Sequence, residues 1–320
     1  MKKIAFIFPG QGSQIVGMGL ELYKNHPKAK EVFNVVDEAL NQKLSKIIFH
    51  GDEEQLKLTS NTQPALMTVS MAIVKILENE LGKKLTDFTE IVLGHSLGEY
   101  TSLCSIDSLD ISTTAKLLRI RGDSMQNSVK NIDTRMVAVI GLEIEIVEEL
   151  LKDFAEEKDF LCEIANDNCP GQIILSGLKK SIDKFSEKLR SSGARSIIDL
   201  QVSAPFHCSL MKPAADVMSK SLEGISIKRP IIRFVNNVSA EFIDEPSEIK
   251  EKLIEQVYKR VRWRESIIKV SKSEIDKIIE IGSGKVLTGL NRRMQINQDF
   301  FNISNISDIE NFIKLHGENL

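Results

Sequence analysis

The chain has 320 residues, 42% of them apolar and 27% charged, a composition able to bury a sizeable core in one large domain with an insertion or in two domains. Its 42 basic and 45 acidic residues leave a net charge of −3, and no stretch concentrates Lys or Arg as a counterion-releasing nucleic-acid surface requires. No segment approaches the ~20 apolar residues of a membrane span, so a soluble, cytoplasmic protein is expected, with neither nucleic acid nor membrane as a partner.

Residues 3–8 read as a first strand. The two lysines and apolar run of residues 1–10 imitate a signal peptide, but the run is too short and stops at Pro9-Gly10. The following Gly10-Gln11-Gly12-Ser13-Gln14 fails as a nucleotide loop: Gly12 and Gly17 have Walker spacing, yet Met18 stands where Lys is required, and Ile15 holds the third-glycine position of the dinucleotide motif. A loop at the end of a strand is nevertheless well placed to offer an N–H to an oxyanion. Helical patterns follow over 19–41 and 63–81, the second with Pro64 in its first turn, where a missing N–H costs nothing.

Residues 90–93 form a short apolar strand, and Glu99 onward is helical. Gly94-His95-Ser96-Leu97-Gly98 therefore puts a G-x-S-x-G sequence on a strand-to-helix turn, the context of a nucleophile elbow. There the helix N-terminus favours an oxyanion and the flanking glycines remove side chains that would clash. On the next helix, Arg119 and Arg121 lie about 200° apart, so at most one faces a pocket beside Ser96. A guanidinium buried there implies a substrate carboxylate; periodicity does not choose between the two.

From residue 136 the rhythm changes to strand (136–140), helix (144–154), two strands (162–166 and 172–176), helix (180–190) and strand (196–200). This is a βαββαβ, ferredoxin-like unit, and Pro170-Gly171 supplies its hairpin turn. We place it at 131–199, inserted in a catalytic core formed by 1–130 and 200–320, where strands at 231–235 and 277–281 complete a mostly parallel α/β sheet.

Five histidines compete for the role of base. His95 adjoins Ser96 but points away from it, and His26, His50 and His316 sit in polar surroundings. His207, after a strand in a segment of small residues, is the best candidate by elimination. No Asp or Glu is evident to orient it, which suggests a backbone carbonyl instead. Cys104, Cys162, Cys169 and Cys208 have neither CxxC spacing nor a compact framework and are expected to be reduced bystanders, Cys208 being noted for its place beside His207. No metal constellation is present.

Six blocks in order, Phe8-Pro9-Gly10-Gln11-Gly12-Ser13-Gln14, Thr62-Gln63-Pro64-Ala65-Leu66, Gly94-His95-Ser96-Leu97-Gly98-Glu99-Tyr100, Arg121-Gly122, His207-Cys208-Ser209-Leu210-Met211 and Gly282-Ser283-Gly284-Lys285-Val286-Leu287, resemble the malonyl-CoA:acyl carrier protein transacylases over nearly the whole chain. The resemblance implies an α/β-hydrolase-like core with an inserted ferredoxin-like subdomain. It also implies Ser96 as nucleophile, His207 as base, the N–H groups of Gln11 and Leu97 as oxyanion hole, Arg121 as partner of the malonyl carboxylate, and the Gln256 main-chain carbonyl as orienter of His207. Malonyl-CoA and an acyl carrier protein are the implied partners in fatty acid biosynthesis. Independently of the resemblance, no bound cofactor is expected, because the chemistry needs none, and a monomer is the default expectation, the sequence leaving oligomeric state open. Arg195, Lys285, Arg292 and Arg293 are candidates for carrier docking. The sequence departs from the family at Cys104-Ser105-Ile106-Asp107-Ser108-Leu109 and Thr134-Arg135-Met136, away from these positions. Phe206 matches malonyl-selective polyketide domains, where close relatives often carry Ser. A thioesterase or esterase sharing the elbow, an acyltransferase for another acyl group, and a non-catalytic thioester-binding or carrier-binding module are the competing readings.

Overall fold

A computed structural model describes residues 3–154 and 156–316, and the side chain of His316 lies outside the described residues, as do Met1 and Lys2. In chain order the strands are β1 (Ile4–Phe8), β2 (Ile91–Gly94), β3 (Thr134–Ile140), β4 (Cys162–Cys169), β5 (Gln172–Leu178), β6 (Ser196–Asp199), β7 (Arg233–Val235), β8 (Lys277–Ile281) and β9 (Asp299–Ile303). Five of them form a parallel sheet in the order β7-β2-β1-β8-β9. Every residue of β1, β2 and β8 is buried, because helices cover both faces of a parallel sheet; β1 and β2 are unbroken apolar runs, whereas β8 carries Lys277 and a Glu280 whose carboxylate accepts from the Leu287 and Thr288 N–H groups. Within β1, Ile4, Phe6 and Phe8 enter the core beneath helix Thr59–Leu81, while Ala5 and Ile7 join Ile91, Leu93, Trp263 and Ile267 on the other face.

The remaining four strands form an antiparallel sheet in the order β4-β5-β3-β6. Helices Ile144–Lys152 and Lys179–Ser191 cover one face through Val147, Ile182 and Phe185, and from the other Met136, Ala138 and Ile174 join the main core. Pro170 and Gly171 are the turn between paired Cys169 and Gln172, with Gly171 at φ 68°, a value that favours glycine.

β4 carries register shifts between Ile164 and Asn166 and between Asp167 and Cys169, and these irregularities turn it toward the core. Asp167 N–H donates to the Val261 carbonyl at 3.0 Å and Val261 N–H to that of Ala165 at 2.8 Å. The Asp167 carboxylate is gripped by the Arg264 guanidinium, Nε lying 3.0 Å from both oxygens.

Three elements differ from the sequence reading. The helix anticipated at 63–81 starts at Thr59, so Pro64 lies inside it. The early turns are secured by other donors: Asn61 and Thr62 N–H bond the Leu58 carbonyl, and Thr62 Oγ1 reaches back to that of Leu56. The pattern at 19–41 is two helices, Leu20–Asn25 and Pro27–Ala39, divided where His26 takes the extended conformation that a following proline favours. Strand β9 was not anticipated; it is a half-exposed edge strand without an apolar run. Among the described residues, no helix is long and apolar enough to cross a membrane, and no cluster of His, Cys, Asp and Glu could hold a metal.

Candidate active site

The turn after β2 needs both of its glycines. A Cβ on Gly94 would lie 1.9 Å from the Gly98 carbonyl, and one on Gly98 would lie 2.2 Å from that of Phe8. Ser96 sits between them at φ 54°, a left-handed conformation costing a serine roughly 1–2 kcal/mol. Three bonds hold the strained residue in place. Its N–H donates to Asn237 Oδ1 at 2.7 Å, its carbonyl accepts from Gln256 Nε2 at 2.8 Å, and Asn237 Nδ2 donates to the Gly94 carbonyl at 2.7 Å.

His207, also left-handed at φ 57°, places Nε2 2.8 Å from Ser96 Oγ. Its Nδ1 lies 2.7 Å from the Gln256 main-chain oxygen. A carbonyl only accepts, so Nδ1 carries the proton and Nε2 is bare, the tautomer able to take the serine proton. Burial, then the charge of Arg121, lower its pKa to about 3, which keeps the ring a neutral acceptor.

Arg121 is buried, with 1% of its surface exposed. Its guanidinium donates to Gln63 Oε1 at 2.7 Å, to Gln256 Oε1 at 2.7 Å and to Ser96 Oγ at 3.2 Å. These partners are all neutral, and Nε has none. Arg119 turns away and donates to Asn61 and Gln42. The two arginines thus part as their spacing requires, and tertiary partners determine which one meets Ser96.

These groups line a cavity of about 320 Å³ with Gln11 and Leu97 on its wall. Among the described residues neither the Gln11 nor the Leu97 N–H has a protein acceptor, so both are free to receive a developing oxyanion. Gln11 is fixed by Thr59 Oγ1, which donates to its side-chain oxygen at 2.9 Å. Three larger grooves, of about 690, 570 and 460 Å³, contain none of these residues, so chemistry rather than volume locates the site.

All six residues singled out from the sequence, Gln11, Ser96, Leu97, Arg121, His207 and Gln256, therefore meet in one place. His26 and His50 lie elsewhere, and His95 bonds Asn168 Oδ1 at 3.0 Å instead of the serine. Cys208 is buried, its thiol pushed up to about 11 by burial and donating to the Pro205 carbonyl, which makes it unreactive at neutral pH. Sequence reasoning missed Gln63, Asn166 and Asn168 on the cavity wall, as well as Asn237 and Glu99 beneath the elbow. Gln63 stood inside a quoted block, and Glu99 directly follows the elbow. The asparagines had no local sign.

A serine–imidazole pair on a strand–turn–helix elbow, with two free N–H donors, is the apparatus of acyl transfer. Residues 5–298 match the family described as acyl transferase domain. The malonyl CoA-acyl carrier protein transacylase of Bacillus subtilis (strain 168) is 45% identical over 300 residues, covering 92% of each chain. The solved acyl-carrier-protein S-malonyltransferase of Bartonella henselae superposes with a TM-score of 0.94 at 44% identity, over 98% of this chain and 99% of that one. A malonyl-transacylase solved in complex with a type II PKS acyl-carrier protein superposes at 0.92 with 32% identity, over 98% and 100% of the two chains. The chain belongs to the acyl transferase family and, within it, to the malonyl CoA-acyl carrier protein transacylases.

Proposed function

We propose that this protein transfers a malonyl group from malonyl-CoA to the phosphopantetheine thiol of an acyl carrier protein, in fatty acid biosynthesis, through a malonyl ester on Ser96. His207 Nε2 takes the Ser96 proton as Oγ adds to the thioester carbonyl, whose oxygen becomes an oxyanion between the Gln11 and Leu97 N–H groups. Collapse breaks the C–S bond, and the imidazolium returns its proton to the CoA sulfur. The carrier thiol then gives its proton to His207 and attacks the ester, and the same N–H groups hold the second oxyanion. The proton goes back to Ser96 Oγ as the malonyl thioester leaves. The chain's own residues suffice for each step, without a bound cofactor.

The observation that carries the malonyl assignment is Arg121: a buried guanidinium 3.2 Å from Ser96 Oγ, bonded to neutral oxygens only. Its uncompensated charge is matched by a free carboxylate on the acyl group and by nothing on an acetyl group. Intact-protein mass spectrometry after mixing with malonyl-CoA tests the reading. A malonyl adduct on the wild type and none on Ser96→Ala is expected; an undiminished adduct on Ser96→Ala would overturn it, as would Arg121→Ala accepting malonyl-CoA as readily as before. Product analysis with and without carrier protein separates transfer from hydrolysis.

On the same reading the inserted subdomain is 131–199 and the core is 1–130 with 200–320, to which all six reactive positions belong. Arg195, Lys285, Arg292 and Arg293 are exposed; Lys285 directly precedes Val286 of the cavity wall, and Arg293 donates to Gln172, another wall residue, at 2.8 Å. Exposed basic groups beside the cavity suit an acidic carrier protein delivering its thiol. The enzyme acts, on this reading, as a cytoplasmic monomer.

A further inference from the structure

Glu99 is a buried acid with no place in the transfer as written. It opens the helix behind the elbow, is 0% exposed, and forms no ion pair among the described residues. Its Oε2 accepts from Gln256 Nε2 at 2.6 Å and from the Asn237 N–H at 3.3 Å, and its Oε1 has no partner. These are the two residues that grip Ser96. Gln256 does more: its main-chain oxygen holds His207 and its Oε1 holds Arg121. A side-chain amide can turn end for end, and in Gln256 that rotation would point an NH2 group at the Arg121 guanidinium and an oxygen at the Ser96 carbonyl. An acceptor at Glu99 Oε2 opposes it.

We infer that Glu99 is a positioning residue: its carboxyl anchors the Gln256 amide, and through Gln256 it sets where the His207 ring and the Arg121 guanidinium stand relative to Ser96. The inference rests on the malonyl reading, since it concerns how Arg121 is kept ready for a carboxylate. Burial raises the Glu99 pKa to about 8, against the lowering effects of the Gln256 amide, the Asn237 N–H and Arg121. Arg121 is the one charged group acting on it; Gln256 and Asn237 are neutral, and burial holds the adjacent Tyr100 phenol protonated well beyond its usual range. At neutral pH Glu99 is thus mostly an uncharged acid, and Arg121 keeps its charge for the substrate. Above about pH 8 it ionises and competes electrostatically for that charge.

The test is steady-state kinetics of malonyl transfer from pH 6 to about 9.5 for the wild type, Glu99→Gln and Glu99→Ala, with a thermal melt of each. For the wild type, KM for malonyl-CoA should rise about fivefold above pH 8, the scale of adding one partly shielded charge. Glu99→Gln, permanently neutral and still able to offer an acceptor, should keep KM flat. Glu99→Ala should lose kcat by roughly tenfold to a hundredfold, as lost support of catalytic groups does, and Glu99→Gln should recover most of it. The same KM rise in Glu99→Gln, or a folded Glu99→Ala with undiminished kcat, overturns the inference. If Glu99→Ala does not fold, the wild type against Glu99→Gln decides alone. Arg121→Ala is run beside them: if it keeps malonyl preference, the functional reading itself fails, whereas its loss together with a failed Glu99 result sinks only this inference.

Discussion

In the parallel sheet β1, β2 and β8 are buried at every position, whereas in the antiparallel sheet β6 leaves Ile198 at 51% exposure. The reactive apparatus divides along the same line. The carboxyl ends of β1 and β2 lead into the Gln11 loop and the Ser96 elbow, the edge where open α/β sheets bind ligands. The antiparallel sheet contributes cavity wall through Met136, Asn166, Asn168, Gln172 and Ile174. Chemistry therefore rests on the tightly packed turns that leave the parallel sheet, and cavity shape on side chains of the antiparallel sheet, which is joined to it by the packing of Met136, Ala138 and Ile174 and by a polar seam at Asp167, Val261 and Arg264. Substitutions of equal steric violence should have unequal consequences in the two regions.

The largest expected effect is at Gly94. An added Cβ would meet the Gly98 backbone at 1.9 Å, and neither a rotamer nor a loop is available to yield, so Gly94→Ala should cost more than about 4 kcal/mol and leave no folded, acylatable protein. Gly177 in β5 is the matched probe, with a Cβ that would lie 2.1 Å from the Leu161 carbonyl. Leu161 precedes β4 and can shift, so Gly177→Ala should lower the melting temperature yet still form a malonyl adduct at low temperature. Equal loss of acylation in both variants would break the comparison.

Next in size is the seam. Asp167→Ala removes the carboxylate that Arg264 grips and leaves a partly buried guanidinium with only the distant Glu145 carboxylate at 4.0 Å, at a cost of about 2 kcal/mol. Denaturant unfolding should show it, and a change below about 0.5 kcal/mol would mean that the backbone bonds to Val261 carry the seam alone. Smaller again is Asn168→Ala, which frees His95 Nε2 from its 3.0 Å partner without touching Ser96 or His207. A loss of about 1 kcal/mol, near fivefold in kcat/KM, is expected. A thousandfold loss would move this strand from cavity wall into the chemistry.

How much of this was legible follows from where the causes lie. The elbow was readable because its cause is local: a strand, two glycines at fixed spacing, and a helix. The βαββαβ unit was readable from periodicity. Arg121 was not separable from Arg119 by position, because its partners Gln63 and Gln256 are 58 and 135 residues away. Gln256 orients His207 with a main-chain oxygen that every residue possesses, so no residue type marks the position and only family resemblance pointed to it. Asn168 reaches His95 from a strand whose register shifts twice, and regular alternation does not foresee that. β9 lacks an apolar run because its edge position leaves half of it in water.

The smallest expected effect is none at all, and it probes how well the core insulates its base. An exposed histidine loses basicity below about pH 6.5, and a serine enzyme relying on one loses rate there. His207 is buried and faces the Arg121 charge, which together lower its pKa to about 3. Because the folded value is depressed, protonation is deferred: the ring stays neutral, and able to accept the Ser96 proton, as pH falls through the ordinary imidazole range. The same shift has a stability cost. Below the unfolded value the denatured chain binds the proton that the native chain refuses, so this group makes folding less favourable as pH falls from about 6.5 toward about 3. kcat/KM for malonyl-CoA, which reports the free enzyme, should therefore vary by less than about twofold between pH 5.5 and 7.5 while the melting temperature declines over the same interval. A rate falling with an apparent pKa between 6 and 7 would show that water reaches His207, and that the rigidity of the parallel sheet does not extend to the loop that carries its base.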